Sequence, residues 1–599
     1  MQDIFAELST LKGQYYSDTI EIIEGLPYSQ YQIIKQIELY SNDRYLLGNA
    51  DGQGNEKPFY NITKNALNVA VRATDFDTKD IHIVADNPKD ADKSFLLNKE
   101  IFNWMDETNF SETLNKMGQT RAKYGGLLIK KFEKNDDLTI DVVDWRNVVT
   151  DQIDIDSGAV AERHYMSPLD LERKRGIWDN VDEAIELAQK EQKSGKDSGS
   201  SSESTEAKVE VYEIEGEFPR TYIDEEANEN EYSLQLWFVV EGGAAKDGED
   251  QLVLFSEEIK DTRYKYVGWE EIPGRGLGRG VVEEGFQAQI WANDATIKER
   301  QVMDLASKMI FKTTDDTIEN NILTDLDNGD IIKLQEGRDF TPVNTVSNSI
   351  PKFDALVEKW QNQFQRATST FEAVTGETLP SGTPFRLGAM QNQEARSLFD
   401  YRREGMGIFL TQVFEDWVLP FILKRINKDH ILAADFSIEE LRKIDEAFSK
   451  HSALKKAIEA AKEGKIVTAD EFDQLVKGQQ ELVKQTKNRR FIDIPKGYFK
   501  DIDAKVTVVT TGEERNKRVV LETLGTIMTM VAQNPAITQD PIQAQILSRI
   551  IELSGAGLSP ISMGLGEKTQ EQPQQVPAQQ PGQPEAALPT LGQEEPEVA

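Results

Sequence analysis

The chain has no cysteine and only four histidines in 599 residues. Disulfides and thiolate metal sites are therefore excluded, and a reducing compartment is compatible with the composition. His82, His164, His430 and His451 fall in no HExxH or related spacing. Each reads as an ordinary surface or satisfied core residue, and no metal or cofactor is expected. Bases are scarce beside acids: 68 Lys and Arg against 104 Asp and Glu leave a formal charge of −36. Tight wrapping of nucleic acid needs cations to replace phosphate counterions, so a surface of this chain that meets DNA should repel it. No apolar run approaches the 18 or so residues of a membrane span, and MQDIFAELST lacks the basic start and apolar core of a secretory signal. The expectation is a soluble, unexported protein without a membrane partner.

Nucleotide motifs are missing as well. There is no GxxxxGK[ST], and the glycines of PGRGLGRGVVEEG fall at 274, 276, 278, 280 and 285, out of register with GxGxxG. Their expected role is a tight turn ahead of a helix that starts near Gly285. Acids are so numerous that neighbours such as Asp315 and Asp316 arise by chance, and no catalytic residue is assigned. The basic clusters RKR (173–175) and KNRR (487–490) read as solvated faces, or as contacts between copies of the chain.

What is present is an α+β pattern. Helical spacing marks 28–41, 61–73, 92–106 and 110–123; strand signals mark 81–84, 125–132 and 138–145. EQKSGKDSGSSSESTEA (191–207) has almost no large apolar residue and is expected to be a flexible insertion, because strand patterns resume after it at 208–216, 232–240 and 251–255. One helical stripe then includes Trp291, Ala295, Val302 and Ala306, and a second has Phe353, Leu356, Trp360, Phe364 and Phe371. Between them lies an acidic β element with Asp315, Asp316, Glu319, Asp325, Asp327 and Asp330 and a turn at Asn328-Gly329. A loop broken by Gly and Pro (376–396) follows, then a long helix with Met406, Phe409, Val413, Trp417 and Phe421 on one face and a possible kink at Pro420. Residues 437–487 read as charged helices and 503–512 as a strand, with helices again at 513–532 and 541–554. From Glu567 the composition turns to Pro, Gln and Glu, the mark of a disordered tail.

This order resembles the portal (head-to-tail connector) proteins of tailed bacteriophages. YGGLLIKKF (124–132) with LTIDVVDWRNVVTD (138–151), EIPGRGLGRGVVEEGFQAQIWAND (271–294) and VTVVTTGEERNKRVVLETLGTIM (506–528) carry the likeness, in succession rather than singly. The resemblance implies a multidomain α+β fold. Its parts would be a wing (1–284), first stem helix (285–312), clip (313–352), second stem helix (353–375), tunnel loop (376–396), long wing helix (397–430), crown (431–566) and tail (567–599). It also implies a non-enzymatic ring, typically of twelve subunits, at one capsid vertex. Expected partners are other copies of the chain, double-stranded DNA passing through the channel, the terminase packaging motor, the major capsid protein and a tail adaptor. In that frame Trp291, Trp360, Phe364 and Phe371 pack the stem, and the six clip acids offer a docking surface. Pro380, Pro384, Arg386, Gln391 and Gln393 of the loop would face DNA, Arg386 being the one phosphate contact. The Ser-rich insertion and the Gln/Pro tail depart from the family and receive no role. Two other classes are open: a different virion component such as a tail adaptor, and a carboxylate-dependent nuclease.

Overall fold

A helix that the sequence reading passed over opens the chain: α1 (Gln2–Ser17) buries Ile4, Phe5, Leu8 and Tyr15 along one side. In this computed structural model the chain divides into two compact units, 1–513 and 514–599. The described residues all lie in the first. They are 2–508 without 53, 86–89, 135–136, 198–207, 225, 229, 242–250, 308–309, 315–335, 344–349, 371–384, 427–430, 434–437, 463–464, 466, 485–490, 494–497, 500–501 and 503.

After α1 come the hairpin β1 (Ile20–Ile23) and β2 (Leu26–Tyr28), then α2 (Gln30–Ser41). The Ser29 hydroxyl caps α2 by accepting from the Gln32 N–H, and Ile34, Ile37 and Tyr40 give the helix its buried stripe. Next are α3 (Thr63–Ala73), β3 (Ile81–Ala85), α4 (Ala91–Glu107) and α5 (Phe110–Tyr124). Gly125, at φ 89°, ends α5. There follow β4 (Gly126–Lys134), β5 (Asp137–Val142), β6 (Val148–Thr150), β7 (Val160–Met166), α6 (Pro168–Glu172) and α7 (Val181–Asp197). The next strands are β8 (Val209–Pro219), β9 (Tyr232–Val240), β10 (Leu252–Glu258) and β11 (Tyr264–Gly268). Two antiparallel sheets result, ordered β10-β9-β8-β7-β6 and β11-β4-β5. Because α7 runs to Asp197, the start of the expected flexible insertion is helical. Residues 198–207 lie outside the described residues.

The second half begins with α8 (Val281–Glu284) and α9 (Phe286–Ala306). An antiparallel pair, β12 (Ile310–Thr313) with β13 (Phe340–Val343), joins α9 to α10 (Ile350–Thr368). Ser369, at φ 57°, stops α10 well before residue 375. The long helix α11 (Phe385–Val413) starts earlier than expected, so 385–396 are helical instead of irregular. Beyond Pro384 the sequence FRLGAMQNQEARS holds no proline, and its Leu, Ala, Met, Gln, Glu and Arg outweigh the roughly 1 kcal/mol cost of Gly388. A π-helical turn, Phe414–Val418, leads into α12 (Leu419–Ile426). Pro420 has no N–H to bond the carbonyl at 416 and its ring crowds that carbonyl, so the ladder widens just ahead of it. The described chain closes with β14 (Ile431–Ala433), α13 (Ile438–Lys462), α14 (Ala469–Lys484), β15 (Phe491–Asp493) and β16 (Ala504–Val508).

Contrary to the sequence expectation, one helical stretch, Leu398–Ile426, is long and apolar enough to cross a membrane by length and composition alone. It is a core helix instead: Met406, Phe409, Leu410, Val413, Phe414 and Trp417 are buried with residues of α4, α5, β4 and β5. The same core takes in Phe448, Tyr498 and Val506, and β16 pairs with β3, so β3, α4, α5, β4 and β5 pack in one body with α11, α12 and β16. A second core joins α1, α2, β8 and β9. A third, small one holds α3, α8 and α9 together with Phe364 and Phe399.

Candidate functional site

The third core is where α9 and α10 leave the body, and glycines make it possible. Gly125, Gly278 and Gly280 bring three backbones together: a Cβ on Gly125 would lie 2.3 Å from the Gly278 carbonyl oxygen, and one on Gly280 would lie 2.5 Å from the Gly125 nitrogen. Arg275 holds the 273–280 loop closed. Its buried guanidinium donates to the carbonyls of Leu277 (2.6 Å) and Gly278 (2.7 Å) and to both oxygens of Glu283. With those donors spent on the loop's own carbonyls and on Glu283, Arg275 holds it as a structural turn.

The helices then lock. Gly285, between α8 and α9, lies under the ring of Phe364, where a Cβ would sit 1.9 Å from Cε2. Two turns further out, Trp291 and Trp360 stack at 6.1 Å and 16°. Gln289 ties α9 to the start of α3: its Oε1 accepts from the Ile62 N–H (3.0 Å) and the Thr63 hydroxyl (2.9 Å), and its Nε2 donates to the Tyr60 carbonyl (2.6 Å). Beyond this clamp Arg300 donates to the Glu56 carbonyl (2.5 Å), and apolar side chains of the pair stay uncovered. Ile290, Trp291, Met303, Leu305 and Leu356 are all exposed, Trp291 at 47%.

A buried charge cluster fastens α11 to the same base. Arg402 approaches Glu284 (3.4 Å) and Glu270 (3.6 Å) and lies over the Trp269 ring at 4.7 Å. Arg121 of α5 donates to the carbonyls of Gly268 (2.9 Å) and Arg402 (2.7 Å). Burial pushes the Glu284 carboxyl up to about 7; Arg402 opposes the rise and the neighbouring Glu270 adds to it. A carboxyl raised in the folded state stabilises fully below the usual carboxylate range, and that contribution is lost as pH rises through about 7. Glu284→Gln should therefore remove a fall in stability between pH 5 and 8, seen as a smaller difference between denaturation midpoints at the two pH values than in the parent.

Of the residues singled out from sequence, the structure brings Trp291, Trp360 and Phe364 together. Phe371, Pro380, Pro384, Asp315, Asp316, Glu319, Asp325, Asp327 and Asp330 lie outside the described residues. Arg386, Gln391 and Gln393 fall on the helical backbone of α11. Sequence reasoning missed the cluster around Glu213. This strand carboxylate accepts from Lys130 (2.9 Å), contacts His164 (2.9 Å) and pairs with Arg263. Burial would raise it; His164, Lys130 and Arg263 prevail and hold it well below the usual carboxylate range. Among the described residues, Glu162, His164 and Glu213 form the one group whose ligand atoms lie close enough for a metal. Lys130 Nζ, 2.5 Å from Glu162 and 2.9 Å from Glu213, already supplies the positive charge there. A cleft of ≈ 590 Å³ between residues 153–156, 271–276 and α11 is lined by Asp154, Asp156 and Glu271 beside Ile153 and Ile408, with no His, Lys, Ser or Cys in its wall.

No protein-family model matches the chain, and no curated protein matches it.

Proposed function

We propose that the chain is a portal-type subunit: a non-enzymatic protein that closes into a ring at one vertex of a phage capsid and surrounds a channel for double-stranded DNA during packaging and ejection. The observation that carries the reading is the α9–α10 pair, two antiparallel helices joined through a β12–β13 base, with tryptophans stacked between them and apolar side chains left exposed. Exposed apolar surface of this kind marks a place for a partner. A ring supplies one, since each copy covers its neighbour through heterologous contacts. The formal charge of −36 suits a wall past which DNA slides without being held.

In this reading α9 and α10 are stem helices, and the acidic 313–352 element docks first the terminase motor and later a tail adaptor. The loop ahead of α11 narrows the channel, and Arg386, in the first turn of α11, is the phosphate contact. The subunit would assemble in the host cytoplasm and end in the virion, against the major capsid protein. Electron microscopy of the purified protein tests this: rings with a central hole are expected, and a monomer or open filament overturns the reading. Trp360→Asp places an unpaired charge in the Trp291 stack, and closing a ring over it would bury that charge. Ring yield should collapse while the circular dichroism of the subunit is kept.

A further inference from the structure

The α10 helix sorts its charges by side. At about 100° per residue, Lys352, Lys359 and Arg366 fall within roughly 40° of one another, spaced two turns apart over about 21 Å. All three are exposed. Among the described residues no ion pair or hydrogen bond engages their side chains. Asp354 and Glu358 stand on the opposite flank, also exposed, and Trp360 and Phe364, which face α9, lie between the two charged edges. Asp354 has a like charge for company: Glu299 of α9 is beside it, and burial together with Asp354 raises the Glu299 carboxyl. No cation among the described residues pairs with Glu299, Asp354 or Glu358.

One helix pair thus carries three unmatched cations on one edge and three unmatched carboxylates on the other. We infer that these edges are the two halves of a contact between copies: Lys352, Lys359 and Arg366 of one chain meet Glu299, Asp354 and Glu358 of the next. The inference rests on the ring reading in taking a second copy as the partner. The edges differ, so the contact is heterologous and repeats from copy to copy. Exposed Leu356 and Trp291 beside the charges give the layout of a protein interface, an apolar centre with a charged rim. DNA is the poorer partner, because the acidic edge of the same pair would stand close to its phosphates.

The test uses two full-length variants. K352E/K359E/R366E makes both edges acidic, and E299K/D354K/E358K makes both basic. Each alone should lose assembled rings by about tenfold or more at moderate salt, like charges facing at every contact. Mixed in equal amounts they should co-assemble, since alternation of the two restores an opposite-charge pair at every contact. Sedimentation and electron microscopy read the result, with circular dichroism confirming that each variant is folded. Either variant assembling like the parent, or the folded pair failing to co-assemble, overturns the inference. So does a K352E/K359E/R366E protein that forms normal rings and has lost double-stranded DNA binding at low salt, for then the cations face DNA. A parent protein that forms no ring defeats the ring reading itself, a different outcome from rings that ignore the charge reversals.

Discussion

Gly125→Ala should cost more than about 4 kcal/mol or leave no folded protein. Two penalties coincide at this position. Its φ of 89° is one that a side chain rarely adopts, and the added Cβ would meet Gly278 O at 2.3 Å and Gly280 N at 2.5 Å. Those neighbours are backbone atoms, held by Arg275 and by the Trp269 N–H to Gly125 carbonyl bond of 2.8 Å, so no rotamer change relieves the overlap. Gly118→Ala is the control. It lies in the middle of α5 with nothing within 4 Å of its Cβ, and should stabilise by up to about 1 kcal/mol through helix propensity alone. Chemical denaturation of both variants checks the opposite signs. A Gly125→Ala protein as stable as its parent would show that the three glycines are not in contact.

Glu213→Gln should cost about 3–5 kcal/mol at neutral pH, because it strips the charge from a buried carboxylate and leaves Lys130 and Arg263 short of a partner. Glu213 is 3% exposed, and Glu215 beside it on the strand face binds only Arg263 of the two cations. The pH dependence has a definite sign. A carboxyl depressed in the folded state stabilises above the usual carboxylate range, and that stability is lost as pH falls toward the depressed value. The parent should weaken steeply on acidification below about pH 4.5, whereas Glu213→Gln should start lower and fall less. Equal slopes for the two proteins would place the carboxylate outside the network.

Much of the helical framework was legible beforehand. Apolar residues at three- and four-residue spacing marked α2, α3, α4 and α5 to within two residues and the starts of α9 and α10 to within three, whereas α9 and α10 end well before the expected 312 and 375. The α1 helix was missed, although Ile4, Phe5 and Leu8 carry the same spacing. The π turn was signalled only in part: Pro420 announced a break, and the structure gives it the form of a widened turn whose Phe414, Trp417 and Val418 pack into the core. Of the candidate site, Trp291, Trp360 and Phe364 were found from their stripes, while the residues that position them were not. Glu284, Arg402 and Arg121 look like ordinary surface charges in the sequence, and Gln289 like a polar residue on an amphipathic helix.

By itself the sequence determined where most helices begin, which face each one buries, that thiol chemistry is absent and that the surface is acidic. Those properties follow from residue type and short-range period, which act within a few turns of the chain. Tertiary structure alone decided which buried face meets which. It paired β3 with β16, seated Phe364 on Gly285, closed Gly125 against Gly278 and Gly280, and turned Glu213 and Glu215 inward. In β8 these two glutamates alternate with apolar residues and so read as a solvent face. They are buried because Lys130 and Arg263, brought by β4 and by the turn into β11, replace water as their partners. A periodic pattern shows that a face is polar; only the segment packed against it settles whether water or an opposite charge satisfies it.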